Sequence, residues 1–250
     1  MTRVMFERPI ACHLAEWPTL AEGLAGARGL GFGAEVAAAE AVAPGDSLAA
    51  ALSQSGVPLA AVHAGGAVGR LNWAGVRELV EEHAAVAAAA KRVGCDRVVI
   101  NTGAWLHRTR PDMRVVARVI DEVARAVADA GAVAALCAQW GTEVATASEL
   151  FAVLDRSSAV QACPDTAHLM AAGDDPAATV RACEGRLAAI RLNDLGADGA
   201  SRPLGEGRLD VTAVLDAVDG MEYDGWITVS AARSSHQAIG RWASVRAGGR

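Results

Sequence analysis

Eight short apolar runs recur along this 250-residue chain, and each is followed by a segment with helical patterning. Strands are expected over 9–13, 33–37, 58–63, 97–101, 132–138, 158–163, 188–192 and 225–230. Helices are expected over 20–30, 48–54, 73–93, 113–130, 148–155, 177–183, 211–218 and 236–247, with Gly94 and Gly131 as stop signals after the third and fourth. Strands that alternate with helices build a parallel sheet, because a long crossover must return the chain before the next strand can pair in the same direction. Eight such units in about 250 residues match a closed (β/α)8 barrel. The rival is a doubly wound open sheet, but no GxGxxG or phosphate-binding glycine loop follows a strand. The expectation is an α/β protein, a single (β/α)8 TIM barrel occupying residues 1–250 as one domain.

Composition narrows the function classes. Apolar residues make up 52% of the chain but aromatics only 4%, so the core must be built from Ala, Val and Leu. No run approaches the roughly 18 apolar residues that cross a membrane. The first residues lack the apolar core of a secretion signal, and a cytoplasmic location is expected. The five cysteines are odd in number and form no CxxC pair, which reads as reduced thiols. A net charge of −6 without a basic stripe argues against a nucleic-acid partner. Lys91 is the only lysine and sits in a helix, so a Schiff-base mechanism is not expected. A small-molecule substrate is the expected partner, and the apolar helix segment 84–90 permits a homodimer.

Barrel active sites lie at the C-terminal ends of the strands. Here those ends carry His13, Glu35, His63, Asn101, Cys137 with Gln139, Asp165 with His168, Arg191 with Asn193 and Asp194, and Ser230 with Arg233. Asp165-Thr-Ala-His168 is the most informative of them: a carboxylate and an imidazole three residues apart after a buried strand, as a metal or acid–base site requires.

That segment resembles the Asp-Thr-x-His segment of the xylose-isomerase-like barrels, the superfamily of sugar isomerases and epimerases, inosose dehydratase and endonuclease IV. Ile190-Arg-Leu-Asn-Asp194 is similar to its seventh-strand motif, and the stretch from Pro203 to Asp210 to the loop that follows. The segment from Tyr223 to Ser230 is similar to its last strand, and Gly141-Thr142 to a stretch of the inosose-dehydratase-like members. Together these cover roughly residues 55–235. The resemblance implies a divalent ion held by a Glu or His on strand five, an Asp on strand six, a His on strand seven and a Glu on strand eight. Those places here hold Cys137, Asp165, Arg191 and Ser230, and Asn101 stands where the endonuclease IV branch has a His. His63 matches a strand-three His of that branch, and Asp165 with His168 its paired strand-six ligands.

A guanidinium is permanently charged and cannot bind a cation. Arg191 would therefore stand about where the ion's charge was, and no tightly bound metal or other cofactor is expected. The divalent-metal site reads as degenerate, with weak metal binding by Asp165, His168, His63 and Cys137 left open. A guanidinium fork suits a carboxylate, phosphate or enolate oxygen instead. Beside it Asp165 is expected to stay ionised, while His63 and His168 exchange protons near neutral pH. His63, Asp165, His168 and Arg191 are thus the catalytic candidates. Glu35, Asn101, Gln139, Trp140 and Ser230 are the substrate-binding candidates, with Trp105 and Trp140 as an apolar roof.

Structural alternatives stand beside these roles. His63 could be a core histidine, Asp165 and His168 could cap the following turn, and Arg191 could neutralise Asp165 or Asp194. Glu35 could bridge to a neighbouring Arg. Asp194 and Glu206 are expected to organise their loop, Cys137 to be a buried inert thiol, and His83 and His107 to be solvated. The leading function is an isomerase or epimerase acting on a small hydroxylated or carbonyl-bearing metabolite by metal-free acid–base proton transfer. A lyase, dehydratase or cyclase of a specialised biosynthetic pathway is the near alternative. A non-catalytic ligand- or partner-binding barrel is the distant one.

Overall fold

In the computed structural model, residues 9–65, 73–103, 111–221 and 223–230 are described. The expected helix at 236–247, and Trp105, His107 and Arg233, lie outside them. Eight parallel strands form the barrel: β1 Ile10–His13, β2 Gly33–Ala37, β3 Leu59–Ala64, β4 Arg97–Ile100, β5 Val133–Leu136, β6 Val160–Ala162, β7 Ile190–Arg191 and, last in the chain, β10 Ile227–Val229. A small antiparallel hairpin, β8 Asp194–Leu195 with β9 Ser201–Arg202, follows β7. The sheet order is β6-β5-β4-β3-β2-β1-β10-β7. Isolated parallel bridges from Ala162 to Leu187 and from Asp165 to Arg191 join its two edges. The result is a single (β/α)8 barrel, as the alternation requires.

The helices are α1 Leu20–Leu30, α2 Ala38–Ala41, α3 Ser47–Ser55, α4 Trp73–Arg92, α5 Met113–Asp129, α6 Ala147–Leu154, α7 Thr166–Ala172, α8 Pro176–Ala182 and α9 Val211–Asp219. Local chemistry sets their ends. Thr146 and Glu149 form a reciprocal capping box at the start of α6. Asp175 and Asp210 cap α8 and α9, with Pro176 in the first turn of α8. Gly31, at φ 74°, closes α1 in the left-handed conformation. Two helices were not expected from the pattern, α2 and α7; both are short, and α7 starts from the side chain of Asp165. Strand β10 is shorter than the expected 225–230, because Tyr223 turns the entry into a corner: its hydroxyl donates to the Trp226 carbonyl at 2.7 Å. His83 is a correction. It is buried rather than solvated, with Nδ1 donating to the Leu79 carbonyl at 2.8 Å, and burial lowers its pKa. It belongs to the stripe Val76, Leu79, His83, Val86, Ala87, Ala90, whose helical spacing carries the signal.

The core has two kinds of layer. Between sheet and helices pack Val62, Val98, Ile100, Val116, Ile120, Leu136 and their neighbours, the bulky branched residues of an ordinary barrel shell. The lumen is different: its apolar cluster is Ala61, Val99, Ala135, Cys137, Cys163, Ala188 and Ala189, almost all small. Long polar side chains take the space these residues leave. Arg97 of β4 donates Nε to the Ala188 carbonyl at 2.7 Å, reaching from one strand to the segment before β7. Arg191 of β7 reaches Glu35 of β2. No helix among the described residues is long and apolar enough to cross a membrane.

Candidate active site

His13 ends β1, Glu35 lies in the middle of β2, and the two are partners in the β1–β2 register. Between Ala34 and Glu35 the β2–β3 register slips, so Glu35 lies opposite Ala61 and His63 opposite Ala37; such a bulge re-aims side chains. Arg191 lies on β7, separated from β2 in the sheet by β1 and β10. Its Nη2 nevertheless donates to Glu35 Oε1 at 2.8 Å, a bond that has to span the barrel interior. Glu35 Oε1 also accepts His13 Nδ1 at 2.7 Å. The His13 ring meets the His63 ring edge-on, centroids 5.7 Å apart.

Charge and burial set the protonation of this cluster. Glu35 has no exposed surface, and burial alone would raise its pKa; Arg191 first, then His13, overcome that and hold it at about 2. Arg191 is held charged: burial opposes this, but Glu35 and then Asp165 raise its pKa above the usual guanidinium value. His63 is pushed down to about 4 by burial and then by the Arg191 charge, against the pull of Glu35. It is therefore neutral at physiological pH. Among the described residues, four buried side-chain polar atoms have no hydrogen-bond partner: Arg186 Nε, away from this cluster, and three within it, Glu35 Oε2, His63 Nε2 and Arg191 Nε.

Around this cluster lies a second set of polar groups that are closed on one another. Asp165 caps α7, Oδ1 accepting Ala167 N at 3.0 Å and His168 N at 3.3 Å, and its Oδ2 accepts Asn193 Nδ2 at 2.8 Å. Asn193 Oδ1 accepts the Ser230 amide at 2.8 Å, tying together the ends of β6, β7 and β10. Thr166 Oγ1 donates to the Asn193 carbonyl at 2.6 Å. Asn101 Oδ1 accepts Gly103 N at 2.9 Å, and its Nδ2 donates to Gln139 Oε1 at 2.8 Å. Thr102 and Thr142 hydroxyls bond at 3.0 Å. Asp194 accepts the amides of Leu195, Gly205, Gly207 and Leu209, all at 2.8–2.9 Å. Gly207 is required there, because a Cβ would run into the Asp194 carboxylate.

The candidates named from the sequence thus separate into two groups. His63, Arg191 and Glu35, with His13, meet at the C-terminal mouth. His168, on the first turn of α7, is close enough for its charge to act on His63. Arg191 makes its ion pair with Glu35, not with Asp165 or Asp194 as expected; its tie to Asp165 is a backbone bridge. Glu35, expected either to touch substrate or to bridge to an arginine, makes that bridge, enclosed as the counter-ion of Arg191. Trp140 stands out from the surface at 61% exposure. Cys137 is fully buried beside Cys163, whose pKa rises because the two thiols share a hydrogen bond and both are buried. Asn193 was named among the strand ends but given no role. Its bridging position depends on the closure of β6 against β7, which sequence spacing does not show.

A family model described as xylose isomerase-like TIM barrel matches residues 23–244. The chain belongs to this family. Among solved structures, 3-keto-D-glucoside 4-epimerase from E. coli is 16% identical with a TM-score of 0.77, covering 95% of this chain and 99% of that one. An L-ribulose 3-epimerase is 21% identical with a TM-score of 0.74, covering 89% and 80%. A probable 3-DHS dehydratase from Bacillus anthracis is 12% identical with a TM-score of 0.76, covering 94% and 98%. At these identities the likeness is one of fold. No curated protein matches the sequence.

The divalent ion that the family resemblance implies does not fit the residues present. The strand-five place holds the buried Cys137, and both oxygens of Asp165 are engaged by three donors. The strand-seven place holds a cation, Arg191. No group of three or more His, Cys, Asp or Glu among the described residues is arranged to hold a metal.

Proposed function

We propose that this protein is an isomerase or epimerase that moves a proton at a carbon next to a carbonyl in a small, hydroxylated metabolite, without a tightly bound metal. The observation that carries the reading is the buried Arg191–Glu35 pair at the mouth, with Arg191 Nε unpartnered. A fixed guanidinium in a low-dielectric pocket can stabilise the oxygen of an enediolate as it gains charge, the task a cation would otherwise have. The imidazoles of His63, His168 and His13 are the groups able to exchange the proton. Return of the proton to the opposite face gives epimerisation, and return to the neighbouring carbon gives isomerisation. In this reading Asn101, Gln139 and Ser230 supply neutral hydrogen bonds to the substrate, with Trp140 covering it. Asp165, whose oxygens take two backbone amides of α7 and the Asn193 amide, holds these in place rather than acting as base.

A second reading is a dehydratase. The same deprotonation followed by loss of a β-hydroxyl gives an alkene, and a probable dehydratase is among the proteins whose fold this chain shares. A cytoplasmic enzyme of one domain, acting alone or as a homodimer and without a nucleic-acid partner, completes the proposal.

The test is incubation of the purified chain in D2O with free ketopentoses, ketohexoses and dihydroxyacetone, followed by proton NMR, with elemental analysis of the same sample. Exchange of a C–H next to the carbonyl, retained after chelation and with far less than one metal per chain, supports the proposal. Exchange that depends on added manganese, magnesium or zinc overturns its metal-free part. A new alkene signal selects the dehydratase. Failure of every compound to exchange or eliminate favours a binding barrel.

A further inference from the structure

Of the imidazoles at the mouth, His63 is poorly placed to take a proton from a substrate. Its Nε2 is buried and without a partner, and burial with the Arg191 charge makes its protonated form unfavourable. His13 has the opposite setting. Its side chain keeps 16% of its surface exposed, while its inner edge rests on a carboxylate with none. That carboxylate is ionised and can only accept hydrogen bonds. The proton between the two groups therefore belongs to His13 Nδ1, so that the neutral form of the ring carries its lone pair on Nε2. A carboxylate that fixes the tautomer of an imidazole also stabilises the imidazolium formed when that imidazole accepts a proton. Arg191 holds the same carboxylate oxygen from the other side, so Glu35 cannot swing away.

We infer that His13, rather than His63, accepts the proton from the substrate carbon, and that Glu35 is its positioning residue. This rests on the proton-transfer reading above and names the base within it. In the step, the C–H bond next to the carbonyl breaks and its proton bonds to His13 Nε2. The electron pair moves into a new C=C bond, and the carbonyl π pair moves to the oxygen, which faces the Arg191 charge. His13 becomes an imidazolium held by Glu35, and returns the proton or passes it on when the enediolate collapses. No oxidant or further reactant is needed.

Two measurements on the full chain test this. The first is a 15N NMR spectrum of histidine-labelled wild type at neutral pH. The His13 resonances, assigned by their loss in H13Q and H13N, are expected to show a protonated Nδ1 and a bare Nε2. The reverse tautomer overturns the inference. The second is the D2O exchange assay with the same ketoses. H13Q and H13N are expected to lose about 10²-fold or more in exchange rate. E35Q, which lets the ring choose its tautomer, is expected to lower the rate at saturating substrate with little change in KM, and to mix the two His13 tautomers. Exchange at the wild-type rate in the His13 variants overturns His13 as the base while leaving the proton-transfer reading intact. A wild type that exchanges no compound in the panel overturns both. If either His13 variant fails to fold, the other serves, and E35Q supplies both readouts independently.

Discussion

Two carboxylate-centred regions of this barrel are buried to the same degree and satisfied to different ones. Asp194 takes four backbone amides and closes its loop with nothing left over. Glu35 takes one imidazole and one guanidinium on a single oxygen, and its other oxygen has no protein partner, nor do Arg191 Nε and His63 Nε2 beside it. Buried polar groups are nearly always paired, and an unpaired set costs stability. A loop needs only closure, and Asp194 supplies it. A site that must exchange hydrogen bonds with something else has to leave some unmade, and the Glu35 cluster does so in a lumen cleared by alanine and cysteine.

The sharpest way to break the contrast is Arg191→Met. It leaves Glu35 as an uncompensated charge, and should cost about 3–5 kcal/mol in urea unfolding as well as the exchange activity. Adding Glu35→Gln to that variant should recover most of the stability and none of the activity. If the double variant is no more stable than the single one, Glu35 is not the arginine's counter-ion. Asp194→Ala strips the acceptor from four amides and should cost on the order of 3 kcal/mol. Here, however, residual chemistry should survive in whatever fraction stays folded.

Acidification separates the two regions differently. The folded pKa of His63, about 4, lies below its ordinary 6.5. The unfolded chain therefore binds the proton first, and stability should fall as pH drops through that window, by about 3 kcal/mol in all. Glu35 adds a loss at lower pH, because its stabilisation is present above 4.5 and disappears as pH falls toward about 2. His63→Gln should flatten the upper part of the curve, and an unchanged slope between pH 6.5 and 4 would refute the assignment. Asp165→Ala removes a helix cap and the Asn193 tether for about 2 kcal/mol. Its exchange rate per folded molecule should drop far less than that of R191M, and an equal drop would place Asp165 in the chemistry. Thr146→Ala, in the capping box of α6 away from both regions, should cost about 1 kcal/mol and leave exchange unchanged.

Much of this was legible in the chain. The eight apolar runs fall on the eight barrel strands. The polar residues at their ends, His13, Glu35, His63 and Arg191 among them, are those that gather at the mouth. The order of alternation requires both facts, since parallel strands all present their C-terminal ends on one side. The short helix α7 escaped because its first residues read as a ligand segment, and the engaged carboxylate of Asp165 shows where it begins. His83 escaped because its charged neighbours in sequence, Glu81 and Glu82, are on the exposed face.

What the sequence by itself determined is the barrel and the polar strand-end residues, His13, Glu35, His63 and Arg191, that gather at its mouth. Which charges meet was decided only in three dimensions. Asp165 is 26 residues from Arg191 and was the natural partner by motif, yet the arginine pairs with Glu35, 156 residues away. The reason is geometric. Strand closure sets Asp165 beside Arg191 along the backbone, where α7 and Asn193 occupy its carboxylate, while the long guanidinium side chain runs across the lumen to buried Glu35.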